Sequence, residues 1–572
     1  MRSLGKYLKR YRRESILAPL FKLLEALFDL LVPIVVARMI DSGVIAGQKS
    51  TVFLCFGALV LMAAVGLLCS VTAQYFAAKA SVGTAGALRQ ALFDHIQSFS
   101  FSQLDSLGGD TLITRISDDV NQVQTGLNMG LRLLLRSPFI VFGAMIMAFT
   151  INRSIALVFA AAIPILFVIV FGVMFLTKPQ YKKQQQQLDR VTRTARGNLE
   201  GVRVIRAFGT EERESKCFES ENEELAGIQL KAGRESALMN PLSYIVVNGG
   251  IILILWIGAA KVNGGVLLSG NVIALINYLS QILVELVKLA NLIVQLSKAV
   301  VSSGRIAQIL DTKPSMQYKS VTEGSGDTAL AFENVSLRYG GASENSLTNI
   351  SFSAKRGETV GIIGGTGSGK TTLVSLAARF YDATEGRIEF MGADIRDWDK
   401  KALRKRVAVV MQRAQLFSGT VRSNLLYGSP SADDDELWAA LEAAQAADFV
   451  RMKDGMLDAE VEQGGRNFSG GQRQRLCVAR AIAAKPDMLI LDDSSSALDY
   501  ATDAAMHRAI KNLPWKPTLL IVSQRTVSIE HADKILVLDD GELAGIGTHE
   551  ELLSACPVYK EIYDSASGKD GE

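Results

Sequence analysis

The sequence predicts an α-helical domain of six membrane spans followed by an α/β domain of the P-loop NTPase class. Three observations carry that expectation. Long apolar runs recur up to about residue 297 and then stop. A strand-like run at 361–363 leads into a glycine-rich turn ending in Lys-Thr, and a second apolar run at 488–491 closes on a carboxylate. At 572 residues the chain is too long for one ordinary domain. Its 48% hydrophobic and 21% charged residues read as the average of two unlike halves. A net charge of +3, without a basic stripe interleaved with aromatics, gives no ground for a nucleic-acid partner. Cys55, Cys69, Cys217, Cys477 and Cys556 lack metal or disulfide spacing and read as reduced packing thiols. No small-residue cleavage site follows the first apolar run, so no cleavable signal peptide is expected.

A helical span needs about 20 mostly apolar residues. Six stretches qualify: 16–40, 52–77, 130–150, 155–176, 242–260 and 272–296. Four read as clean, whereas the first and last carry several polar residues. The loops alternate short and long, with 79–129 and 177–241 the long ones. Lys6, Lys9, Arg10, Arg12 and Arg13 lie on an amphipathic stretch before the first span. They favour a cytoplasmic N-terminus along the anionic leaflet, which puts the long loops and the second domain in the cytosol. The expected location is therefore the cytoplasmic membrane, multi-pass. Both long loops are rich in helix formers, so the helices should continue well past the bilayer.

Span six holds Asn277, Gln281, Glu285, Lys288, Asn291 and Gln295 at intervals of three or four, hence on one helical face. Span one holds Lys22, Glu25 and Asp29 in the same way. Ionisable groups at membrane depth are costly and face protein or water. One reading makes Lys22–Glu25 and Glu285–Lys288 structural pairs one turn apart. The other makes the stripe the lining of a polar translocation cavity, with Pro33 bending span one nearby. The length of the span-six stripe favours the cavity, where Glu25, Asp29 and Glu285 would suit cationic amphiphiles.

A linker over 301–328 leads to the second domain, 329–572. There Gly364-Gly365-Thr366-Gly367-Ser368-Gly369-Lys370-Thr371-Thr372 follows the strand-like run. Glycines let backbone N–H groups wrap phosphates, and the helix that follows offers its positive end. Lys370 should reach the β/γ-phosphates and Thr371 should ligate Mg²⁺, which makes ATP and Mg²⁺ the expected ligands. Asp492, closing the run from Met488, is placed to hold the same ion. Asp540-Gly541 between apolar runs reads as a hairpin turn.

Between these lies Asn467-Phe468-Ser469-Gly470-Gly471-Gln472. With the motifs on either side it resembles the signature of the ABC transporters, with Phe in place of the commoner Leu. The resemblance extends over nearly the whole chain. Leu104-Asp105 through Arg115 and Asp119, and Gly201 through Phe208 followed by Glu211 and Glu212, resemble the two intracellular loops of type IV ABC exporters. In that family each loop ends in a short coupling helix. The resemblance implies that Tyr339 stacks on adenine and that Gln412 is the Q-loop residue contacting Mg²⁺ or water. It implies that Ser496, Ala497, Leu498 and Asp499 form the D-loop, and that Phe468 to Gln472 grip ATP held by another subunit.

Two positions depart from the family. Its catalytic Glu is Asp493 here, and its His after the strand at 519–523 is Gln524. The family's Glu positions the attacking water and its His contacts the γ-phosphate. Asp is one methylene shorter, about 1.5 Å of reach, and misplacement of that order costs ~10²-fold in rate. Gln can hydrogen-bond but carries no proton or positive charge. With an intact signature, the pattern resembles the degenerate-site subunit of bacterial heterodimeric multidrug exporters. It implies a partner half-transporter with Glu, His and an altered signature, a lipid bilayer, and a small amphipathic (multidrug or lipid-like) cargo. Alternatives are a homodimer with two slow sites and an ATP-gated channel or regulatory membrane subunit. An importer does not fit the fused domain order. Span one begins almost immediately, which leaves no room for the protease domain of a secretion peptidase.

Overall fold

The computed structural model describes residues 2–494 and 498–566. It divides into two compact units, Met1–Gln97 with Asp110–Thr312, and Ser98–Gly109 with Lys313–Glu572.

The first unit is helical. Its principal helices are α1 (Arg12–Arg38), α2 (Lys49–Ile96), α3 (Arg136–Ile151), α4 (Arg153–Glu200), α5 (Met239–Asn263) and α6 (Ser269–Asp311). Leu30, Ile140, Phe159, Leu275, Tyr278 and Ile282 meet in its core. Phe53, Leu54, Leu61, Leu67 and Leu68 of α2 stay exposed, as a lipid-facing surface requires. Each 48-residue helix, α2 and α4, is ~72 Å long at 1.5 Å per residue, well beyond a hydrocarbon core of about 30 Å.

Five helical stretches are long and apolar enough to cross a membrane: Lys49–Ile96, Gly109–Ile151, Arg153–Glu200, Glu211–Asn263 and Ser269–Asp311. The helix expected as span one, α1, is not among them. Lys22, Glu25 and Asp29 fall inside every 18-residue stretch it contains. Two further expectations change. The stretch 130–150 is not one clean helix: a turn at Leu134 and Leu135 separates Val120–Leu133 from α3, which begins on Arg136. The residues 301–311, expected as linker, are the last turns of α6, because Ser302, Ile306 and Ile309 continue its buried face.

The second unit contains β1 (Thr328–Leu337), β2 (Leu347–Lys355), β3 (Thr359–Gly364), β4 (Glu385–Phe390) and β5 (Val407–Val410). It continues with β6 (Met488–Asp492), β7 (Thr518–Val522), β8 (Lys534–Asp539) and β9 (Glu542–Gly547). An antiparallel sheet runs β2-β1-β4, and a six-stranded sheet runs β9-β8-β3-β7-β6-β5. The latter is parallel except for the β8–β9 hairpin. Strands β3, β6 and β7 are buried along their whole length, which explains their unbroken apolar character. The Asp540-Gly541 turn has φ of +44° and +80°, matching the right-handed twist of the hairpin it closes. The three central strands end side by side, and in such sheets ligands bind at the carboxyl ends of the strands.

Candidate functional site

The carboxyl end of β3 opens into the glycine loop. Gly367 and Gly369 have φ of +88° and +93°, a region a β-carbon disfavours, and Gly369 caps α7 (Lys370–Ala377). Lys370 is folded back along the loop, its Nζ donating to the carbonyls of Gly364 at 3.0 Å and Gly365 at 2.6 Å. A cavity of about 630 Å³ opens beside Gly367, Gly369, Lys370, Thr371 and Thr372, facing the Asp540-Gly541 turn. Thr366 and Ser368 complete the loop, the Ser368 hydroxyl lying 3.4 Å from Lys370 Nζ.

Asp492 at the end of β6 is buried, and the Thr371 hydroxyl donates to its Oδ1 at 3.4 Å. Asp493 follows at φ +47°, which turns its carboxylate back over the strand ends. There its Oδ2 accepts from Gln412 Nε2 at 3.2 Å and from Gln524 Nε2 at 3.4 Å. The two positions that depart from the family are thus hydrogen-bonded to each other. Burial pushes both carboxyls above the usual carboxylate range and the Lys370 ammonium below its own, although Lys370 and the two carboxylates partly oppose this. Thr371, Gln412 and Asp492 supply hard oxygen donors around a buried negative charge, a set that fits Mg²⁺.

Tyr339 is half-buried, and its hydroxyl donates to Thr372 Oγ1 at 3.2 Å. Its ring meets the edge of Tyr381 at 5.1 Å between centroids. Tyr381 in turn donates to Asp105 Oδ2 at 2.5 Å, on the short helix Phe101–Leu107. Phe101 of that helix packs on Phe380 at 4.5 Å. Burial and the neighbouring Asp105 carboxylate raise the Tyr381 phenol above its ordinary range.

Ser469 caps α8 (Gly470–Ala483) in a reciprocal box. Its hydroxyl accepts from Gln472 N at 3.3 Å, and its own N–H donates to Gln472 Oε1 at 3.0 Å. Ser469 and Gly470 are exposed and Gly471 partly so, while Phe468 is buried beside Phe449. The Phe that replaces the commoner Leu is therefore a core residue. Gln474 of α8 reaches the carbonyl of Met411, next to Gln412. Of the D-loop expectation, Ser496 and Ala497 lie outside the described residues. Leu498 accepts from Arg525 at 3.2 Å, and Asp499 caps the helix Tyr500–Lys511.

In the first unit, a cavity of about 540 Å³ is lined by Asp29, Asn277, Gln281, Glu285 and Lys288, together with Arg136. Among the described residues its wall does not include Glu25, Asn291 or Gln295. Glu25 is turned to Lys22 at 2.5 Å, and the Gln295 backbone packs beside Gly126. Arg136 donates to Glu285 at 2.6 Å and Asp29 at 2.9 Å, and Glu285 also receives Ser137 and Lys288, each at 2.9 Å. The local pairs one turn apart and the cavity lining are thus parts of one network. Each carboxylate of that network is paired: Glu25 with Lys22, Asp29 with Arg136, and Glu285 with Arg136 and Lys288.

Comparison with known proteins agrees with both halves. A family model for the ABC transporter transmembrane region matches residues 15–286, and one described as ABC transporter matches 347–496. The uncharacterized ABC transporter ATP-binding protein Rv1273c of Mycobacterium tuberculosis is 35% identical, over 99% of this chain and 98% of its own length. The chain belongs to the ABC transporter family. An ATP-dependent lipid A-core flippase of Desulfotalea psychrophila is 31% identical over 83% of each chain. A bacterial Atm1-family ABC exporter solved with ATP bound shares the fold, with a TM-score of 0.79 at 24% identity over 98% of this chain and 99% of that one.

As an ABC transporter the protein couples ATP hydrolysis, with Mg²⁺, to transport across a membrane, and works as a dimer. Arg136 and Tyr381 were not assigned roles from the sequence, and Asp105 was named there only within the first intracellular loop. Arg136 sits in a stretch read as clean, where counting its charges would have exposed it. The adjacent aromatics Phe380 and Tyr381 after α7 were the corresponding signal in the ATP-binding domain.

Proposed function

We propose that this ABC transporter is an exporter subunit with six spans and a cytosolic ATP-binding domain, paired with a different half-transporter, whose own P-loop site hydrolyses ATP slowly. One observation carries this reading. The carboxylate nearest the Mg²⁺ donors is the short Asp493, held between two neutral amides, Gln412 and Gln524. A water-activating group needs reach and basicity, and a γ-phosphate contact gains from positive charge; this constellation lacks both a Glu and a His. Mg²⁺, when bound, neutralises charge on the β- and γ-phosphates. Lys370 and the glycine-loop N–H groups hold the phosphates, Tyr339 stacks on adenine, and Ser469 to Gln472 complete the partner's site. ATP clamps the two ATP-binding domains, the short loop helices pass closure to the spans, and the cavity turns outward. Hydrolysis at the partner-sided site resets the cycle. The cargo is an amphipathic, drug- or lipid-like molecule, in keeping with a flippase among the relatives.

Asp493 keeps a carboxylate aimed across the strand ends, and this favours as second reading a homodimer with two slow sites. Co-purification with a half-transporter carrying Glu and His at the two positions, followed by ATPase assay, separates the two. The expected result is turnover that vanishes when the partner's catalytic Glu is changed to Gln. Turnover that persists after that change, or full activity of this chain alone, overturns the heterodimer.

A further inference from the structure

The network on the cavity wall has an order that bears on what the cavity accepts. It runs Asp29–Arg136–Glu285–Lys288, alternating in sign, with contacts of 2.9, 2.6 and 2.9 Å. Its middle is shut away: the side chains of Arg136 and Glu285 are 10% and 4% exposed, and each already holds its neighbours. Its ends are open, with Asp29 at 42% and Lys288 at 43%. The cavity therefore presents one accessible carboxylate and one accessible ammonium, separated by a satisfied ion pair and carried on different helices. Val32, Val36, Ile140 and Val284 supply apolar wall between and around them. Two polar atoms of lining residues, Arg136 Nε and Gln281 Oε1, are buried and have no hydrogen-bond partner among the described residues.

A guest with a single positive charge gains Asp29 but meets Lys288, and a singly anionic guest meets the reverse conflict. Like-charge juxtaposition across a low-dielectric wall is how a site rejects wrong partners. A head carrying both charges satisfies both ends and leaves the buried pair intact. The apolar wall adds the requirement for a hydrocarbon portion.

We infer that the cavity selects a zwitterionic amphiphile, with an ammonium set against Asp29, a phosphate or carboxylate set against Lys288, and its tail along the valine and isoleucine wall. This rests on the export reading above and narrows it from amphipathic cargo to a head-group class.

The test reconstitutes the assembled transporter in vesicles and follows ATP-dependent translocation of three fluorescent lipids with identical tails. Their heads are phosphoethanolamine (zwitterionic), phosphoglycerol (anionic) and trimethylammonium (cationic). The zwitterionic lipid should move at least tenfold faster than either other. Lys288→Gln should raise the cationic rate relative to the zwitterionic one, and Asp29→Asn should raise the anionic rate likewise. Lys288→Arg and Asp29→Glu should keep the original preference. These conservative variants retain the ion pairs and so test selectivity even where a neutralised one folds poorly. Soluble glycerophosphoethanolamine, which lacks a tail, should not compete. Equal rates for the three heads, variants that slow all three equally, or full competition by the tail-less head would overturn the inference. ATP-dependent movement without head discrimination leaves the export reading standing, whereas absence of ATP-dependent movement for any probe counts against that reading as well.

Discussion

Glu285 in the membrane domain and Asp492 in the ATP-binding domain are carboxylates of nearly equal burial, 3% and 4% exposed. The chain treats them in opposite ways. Glu285 receives an arginine, a lysine and a hydroxyl, all within 3 Å. Among the described residues, Asp492 is met by a lone threonine hydroxyl at 3.4 Å, and burial pushes its pKa upward. Burying an unpaired charge is costly unless something compensates it. One carboxylate is compensated by the fold itself and belongs to the architecture. In the proposed function the other is completed by a ligand, since a bound divalent ion becomes the largest local charge in such a site. Equal burial with unequal pairing thus separates a carboxylate the fold compensates from one it does not.

The sharpest way to break this comparison is Arg136→Ala, which leaves Glu285 and Asp29 without their shared cation. A loss of about 3–5 kcal/mol is expected, read as a lowered thermal midpoint in detergent. Replacing Arg136 by Met together with Glu285 by Gln and Asp29 by Asn should recover most of it, since neither carboxylate is then left charged without its arginine. Next in size is Asp493→Glu combined with Gln524→His. With the partner's own catalytic Glu changed to Gln to silence the other site, ATPase activity should rise by ~10-fold or more. No rise would show that something other than these two side chains limits the site. The smallest effect expected is from Tyr381→Phe, which removes the hydroxyl bonded to Asp105 and leaves the ring packing. Loss of that bond, about 1 kcal/mol net, should lower transport per ATP hydrolysed roughly fivefold while ATP affinity holds. An unchanged ratio would reduce Tyr381 to a packing residue.

The nucleotide-binding geometry was legible because its determinants are contiguous. Gly364 to Thr372 dictate their own loop and helix start, and Asp540-Gly541 dictate their own turn, whatever surrounds them. The membrane network was legible only by halves. Spacing of three or four residues placed Glu285 and Lys288 on one face of α6, but nothing local says that Arg136, 149 residues earlier, completes them. Apolarity counting also hid that arginine inside an otherwise greasy stretch. The same averaging hid the end of α6, whose last turns contain serines and a glycine and read as linker, although their apolar positions keep to the helical period. Asn291 and Gln295 continue the polar spacing without lining the cavity, since spacing fixes a face but not where along it a cavity ends.

The separation of those partners along the chain has a temporal side. Asp29 precedes Arg136 by 107 residues, and Arg136 precedes Glu285 by 149. At ribosomal speeds of about 5–20 residues per second, the first helix waits on the order of ten seconds for its arginine, and the arginine about as long again for its glutamate. Until Arg136 arrives, α1 carries Lys22, Glu25 and Asp29 with its own internal pair and the Ser70 hydroxyl of α2 to shield them. Of the six principal helices, the one that falls short of a span's apolarity is thus also the first made, and its Asp29 waits for a partner made later.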